Sequence, residues 1–306
     1  MNLFLLFRDR VRNVVLKHEI LAERIGSGVL AFVSLLILKE YFGYSTPISH
    51  IWLIVILSIF CAFLPMSGIA IVLDIFLLLN LTSLSMDIAV VVLLMIIAAN
   101  LVCAFYGVNN YSNVTLIPVF QQWRMPFLPV MGSAMLGGIN EIAATISGGI
   151  IAFFLKAVRE NSSMFLDDTA NISAMDLIIN QMLGNHLFYF FIVALVVMFI
   201  VTYNIKCRDI NHAWSLAAIF GVLSEFVIML TGYLFTGNAS SIGGLILGNI
   251  FTLLFGLGIN YFVRDLDYSR VEKVQFEDDD YYYYVTAVPK IRIAEEHVQV
   301  KKITKE

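Results

Sequence analysis

The sequence predicts an all-α integral membrane bundle of about eight transmembrane helices with a proline-broken segment, plus a small cytoplasmic β-hairpin tail. Three observations carry that expectation. Apolar residues make up 59% of the 306 residues and charged residues 14%, against ~45–50% and ~25% in soluble domains. The apolar residues fall in long runs bounded by polar or helix-breaking residues, which suits a chain solvated by lipid. After Arg264 the composition changes to Val, Tyr, Ile and acidic residues. The expected domains are an amphipathic N-terminal helix (1–25), a transmembrane helical domain (26–263) and a cytoplasmic tail (264–306).

In residues 2–24, Phe4, Phe7, Val11, Val14, Val15 and Leu21 are interleaved with charges. That spacing gives one apolar stripe and one polar face. Such a helix lies in the headgroup layer or packs on the cytoplasmic side of the bundle. The charges Arg8, Asp9, Arg10 and Arg12 follow the first apolar run, the reverse of the order in a cleavable signal peptide.

Apolar spans are expected near 26–43, 49–64, 67–82, 87–107, 137–156, 184–204, 212–235 and 241–263. Crossing ~30 Å of hydrocarbon takes roughly 20 helical residues, so the second and third spans are short. Lys and Arg set the orientation. With eight spans and a cytoplasmic N-terminus, sixteen of the basic residues fall inside and three, Lys39, Lys156 and Arg159, fall outside. The bias rests on the two ends of the chain.

Residues 111–136 carry Pro118, Pro126 and Pro129 among apolar residues, and each proline removes a backbone donor. One reading is a re-entrant or broken helix, buried in protein or lining a wet cavity. Another is an amphipathic helix on the cytoplasmic surface, with Gln121, Gln122 and Arg124 facing water. A full crossing would give nine spans. The polar loop 157–183 would face outside, and Met164, Phe165 and Leu166 would pack back onto the membrane. In the tail, 271–277 and 281–293 read as two strands joined by the acidic turn Asp278–Asp280. A lone hairpin is marginal in water, so the tail is expected to lean on the bundle loops, a second copy of the chain or a cytoplasmic protein.

Cys61, Cys103 and Cys207 form no CxxC or Cys/His cluster, and neither a disulfide framework nor a metal site is expected. No phosphate loop, zinc-protease or nucleophile-elbow motif is present, so the chain does not read as an enzyme and no cofactor is expected. Basic residues flank apolar spans instead of forming a nucleic-acid patch.

The tail string VQFEDDDYYYYVTAVPK (274–290) resembles the C-terminal signature of a family of uncharacterised multi-pass membrane proteins of Gram-positive, clostridia-like bacteria. The core IPVFQQWRMPFLPVMG (117–132) is also similar, more loosely. Some members carry a permease label. The resemblance implies a bacterial plasma membrane and supplies no substrate or site residue.

Three carboxylates, Asp74, Glu141 and Glu225, fall inside predicted spans. An intramembrane charge costs at least ~2.5 kcal/mol, so such residues face the bundle interior and are candidate sites for a proton, a cation or a substrate amine. The bland reading is a protonated carboxyl hydrogen-bonded to a neighbouring helix. Gly137, Glu141, Thr145 and Gly149 recur at i, i+4, and Ala218, Gly221 and Glu225 share another stripe. Gly244, Gly248, Thr252 and Gly256 recur every four residues, a groove for close helix packing within the bundle or between copies. Asn100, Asn140, Asn249 and Asn260 read as interhelical glue. Tyr281, Tyr282, Tyr283 and Tyr284 would put two rings on each face of a strand, a surface suited to a protein contact. The function expected is permease-like transport of a small solute or ion. The alternative is a non-transporting envelope scaffold whose tail docks a partner or a second copy.

Overall fold

The architecture was determined from a computed structural model. It describes residues 7–8, 10–11, 14–15, 17–45, 47–165, 180, 182–208, 210, 212–263, 272–277 and 282–287. The described residues form ten α-helices: α1 (Glu19–Phe42), α2 (Ile51–Cys61), α3 (Met66–Thr82), α4 (Met86–Phe105), α5 (Ser112–Gln122), α6 (Phe127–Leu136), α7 (Ile142–Glu160), α8 (His186–Lys206), α9 (Ala213–Phe235) and α10 (Ile242–Val263). The protein is a polytopic membrane protein. Six helices are long and apolar enough to cross a bilayer: α1, α4, α7 with its leading turn from Ile139, α8, α9 and α10. The helices α2, α3 and α6 are apolar but shorter. At 1.5 Å per residue, α2 reaches roughly 16 Å and α3 roughly 25 Å.

Apolar side chains cover the outside. Phe105 is 85% exposed, Trp52 77% and Phe235 71%. All three lie at or next to helix ends, where aromatic rings settle at a membrane–water interface. Inside, two apolar clusters divide the bundle. One joins α1–α5 with one side of α7, through residues such as Leu35, Leu73, Val92 and Phe154. The other joins α6 and α8–α10 with the opposite side of α7, through Met131, Phe153, Phe191 and Phe199. The apolar window of α7 is 67% buried, against 22–39% in the other five long helices. That makes α7 the axis of the molecule.

Contacts fix which helix ends share a face. At the face where α1 starts, Arg24 lies over the Phe63 ring just after α2. At the opposite face Asn80, near the end of α3, accepts from the backbone N–H of Ser45 and the hydroxyl of Ser49 in the α1–α2 loop. There too Arg159, at the end of α7, lies over Tyr41. We call these the near and far faces. The last turn of α7 extends through Glu160, and Ser162–Phe165 follow as a 3-10 turn with Phe165 buried. Residues 157–160 are therefore helical, where the sequence suggested the start of a loop. The Val158 side chain, fully buried against the first cluster, explains the extra turn.

Beyond α10, β1 (Glu272–Glu277) and β2 (Tyr282–Ala287) run antiparallel, pairing Gln275 with Tyr284, Phe276 with Tyr283 and Glu277 with Tyr282. The acidic turn and Tyr281 lie outside the described residues, as do residues 166–179 of the polar loop.

Candidate functional site

The proline-broken segment is the centre of the fold. It forms a hairpin of two short helices, α5 and α6, and every residue of α5 except Gln121 is buried. Surrounding protein is what permits irregular backbone at membrane depth. Pro118 lies mid-helix in α5. Its carbonyl is taken up by Gln122 Nε2 at 3.3 Å. The helix then ends in a Schellman-type turn: Met125 N donates to Phe120 O at 3.0 Å, and Arg124 takes the left-handed conformation at φ 59°. Glycine usually fills that position. Pro126 caps α6, and Pro129 sits in its first turn, where no intrahelical donor is needed.

This geometry corrects the reading of 111–136 as a cytoplasmic surface helix. Gln122 is buried and accepts from Arg159 Nη1 at 2.6 Å. Arg124 shares a far-face pocket of about 150 Å³ with Gln121, Lys156, Arg159, Tyr233 and Ser241. The hairpin tip thus reaches the face that carries Lys156 and Arg159, and Arg124 neither pairs with Glu141 nor marks the near face. Moving it changes the charge balance from sixteen against three to fifteen against four. Beside this pocket, burial pushes the Tyr44 phenol up from its ordinary range, opposed by a hydrogen bond with Ser162 and by the nearby Arg159 charge.

Two further cavities flank α5. The first, about 320 Å³, is lined by Ser67, Asp74, Asn100, Tyr111 and Thr115. Thr115 Oγ1 donates to Asp74 Oδ1 at 2.9 Å, joining α5 to α3. The second, about 250 Å³, includes Asn113, Ser133, Gly137, Glu141 and Phe255. Asn113 Nδ2 donates to Ser133 Oγ at 2.7 Å and Thr145 Oγ1 at 3.2 Å, so one amide ties together α5, α6 and α7. Gly148 allows this, because a Cβ there would collide with the Asn113 carbonyl.

Glu141 sits in the turn between α6 and α7, 7% exposed. Gly137 and Gly138 are extended and break the helix. The Glu141 carboxylate folds back to accept the Gly138 N–H. A Cβ on Gly137 would run into that carboxylate. Gly137 therefore belongs to the break and not to a helical stripe with Glu141. Lys206, at the end of α8, donates to the carbonyls of Met135 at 3.1 Å and Gly137 at 2.9 Å. It caps α6 and puts a positive charge near Glu141.

Glu225 is fully buried on α9 and faces Asn249 of α10. No hydrogen bond of sound geometry reaches either Glu225 oxygen, either polar atom of the Asn249 amide, or the hydroxyl of Thr202. The structure therefore keeps the three carboxylates apart: Asp74 and Glu141 at separate cavities, Glu225 in the second half of the bundle.

The glycines of α10 serve different neighbours. Gly244 lies under the Arg124 side chain and Gly248 under the Arg124 carbonyl, while Gly256 meets Ala218 of α9 and Met131 of α6. Asn260 bridges to Ser215 at 2.7 Å. Residues that sequence reasoning missed are Asn113, Ser133, Lys206, Thr202 and Asn80. Each is an ordinary polar residue near a helix end or inside a span, and only its neighbours make it notable. Among the described residues no group of three or more His, Cys, Asp or Glu side chains could hold a metal ion. The chain matches no family model, no curated protein and no solved structure.

Proposed function

We propose that this membrane protein is a permease-like transporter of a small solute or ion, with the α5–α6 hairpin as its central element. The observation that carries the reading is the placement of polar groups around α5. Cavities holding Asp74 and Glu141 flank its N-terminal half, and a third pocket lies at the hairpin tip. Broken helices with buried carboxylates are the parts from which secondary transporters build their binding sites. A scaffold needs neither a helix break nor cavities beside its intramembrane carboxylates. In this reading α2 and α3 also cross, the hairpin enters from and returns to the near face, and both termini are cytoplasmic in a bacterial plasma membrane. The tail strands pack against the bundle loops or a partner.

Water access tests the proposal. In a chain stripped of Cys61, Cys103 and Cys207, Ser133→Cys is placed in the Glu141 cavity and Gln121→Cys in the far pocket. A small charged methanethiosulfonate should modify the first from the cytoplasmic side and the second from outside, within about ten-fold of the rate at an exposed loop cysteine. Unreactive Ser133→Cys would mean a dry bundle and favour the scaffold. Glu141→Gln should then lower uptake or a growth phenotype at unchanged melting temperature.

A further inference from the structure

We propose that Glu225, Asn249 and Thr202 form a binding site for a monovalent metal cation between α8, α9 and α10. All three side chains are more than nine-tenths buried; the Glu225 carboxyl and the Asn249 amide lie close enough to interact, but no hydrogen bond of sound geometry reaches the polar atoms of either or the Thr202 hydroxyl. The arrangement is not random scatter. Gly221 lies one turn before Glu225, and Thr202 Oγ1 rests against its Cα face, where a side chain would collide with the hydroxyl. Helical side chains lean toward the N-terminus. Glu225 therefore leans toward the level of Thr202, while Asn249 meets it from α10.

An ionised carboxylate without a partner is too costly to keep in an apolar interior. Among the described residues no ion pair reaches it. Thr202 contributes one oxygen, Glu225 two and Asn249 one. These are hard donors, suited to hard cations, and together they carry a single negative charge. That balances one positive charge, whereas calcium takes six to eight oxygens, commonly with several carboxylates.

An entry path exists. Met229 and Tyr233 continue the Glu225 stripe toward the far face, and Leu245 stands one turn before Asn249. These three residues line the far pocket. The site therefore lies one turn below the pocket floor, closed by Met229, a flexible side chain. Of the basic residues at that pocket, Arg159 is engaged with Gln122 and Lys156 lies 4.0 Å from Glu160. Arg124 lies along Gly244.

The test uses the full-length protein purified in detergent, melted in rising NaCl with choline chloride holding ionic strength constant. The melting temperature should rise with the logarithm of sodium concentration above the dissociation constant, without a plateau, by about 4 °C at roughly thirty times that constant, as expected for a ligand bound by the folded state alone. Glu225→Gln should remove the rise, and Thr202→Val and Asn249→Ala should move its onset to about ten-fold higher sodium or more. Glu141→Gln should leave it intact, which separates this site from the transport reading. A flat sodium series in the wild type, or a full rise in Glu225→Gln, overturns the proposal. If Glu225→Gln does not fold, Thr202→Val decides, because it keeps the shape and loses only the oxygen: an unchanged sodium response overturns the site.

Discussion

Arg159 donates through Nη1 to the Gln122 side-chain oxygen at 2.6 Å, 37 residues away in sequence, and so fastens the last turn of α7 to the top of α5. A charge-assisted bond of this kind contributes more than a neutral one. Gln122→Ala should lower stability by about 1.5–3 kcal/mol, read as a drop in melting temperature in detergent. Gln122→Glu keeps an acceptor for Arg159 and should recover most of the loss. If both variants melt alike, the contact contributes no stability.

Asp74 and Thr115 give a second separable test. Asp74→Asn keeps an oxygen acceptor for the Thr115 hydroxyl, so stability should hold within about 1 kcal/mol. Thr115→Val removes the donor and leaves the largely buried carboxyl without it, at about 1–3 kcal/mol. Thermal melts of the two variants compare these costs directly. A larger loss in Asp74→Asn would show that the carboxylate has another essential partner.

On α10 the contrast is between neighbours in sequence. A Cβ at Gly248 would meet the Arg124 carbonyl, whereas Leu247 is exposed. Gly248→Leu should destabilise by about 1–3 kcal/mol through overpacking, and Leu247→Ala should shift the melting temperature little. Equal shifts would place Gly248 against lipid.

Topology can be read by labelling with an impermeant maleimide on intact cells, in the cysteine-free background. Ser162→Cys and Arg124→Cys should both react from outside, since the hairpin tip and the α7 terminus share a face, and Ser269→Cys should react only after lysis. Arg124→Cys behaving like Ser269→Cys would return the tip to the cytoplasmic side.

Much of the bundle was legible because burial in lipid imposes a long apolar run on each spanning helix. The helices α4 and α8–α10 begin and end within about two residues of the expected spans. The end of α7 was not legible, because Arg159 and Glu160 read as loop charges. They remain helical by engaging their neighbours: Arg159 reaches Gln122 and Tyr41, and Glu160 lies 4.0 Å from Lys156. The prolines marked a break in 111–136, but they carry no information about the direction in which the chain turns.

By itself, the sequence determined that this is a polytopic helical membrane protein with one proline-interrupted segment and three carboxylates within apolar runs. Those properties follow from the cost of exposing polar groups to hydrocarbon, a local constraint written residue by residue. Only the tertiary structure decided that Arg124 sits with Arg159, that Asn113 joins three helices, and that Glu225 faces Asn249. Such pairings depend on which helix faces meet. Small residues such as Gly148 and Gly221 permit many close approaches, and the packing of the whole bundle selects one.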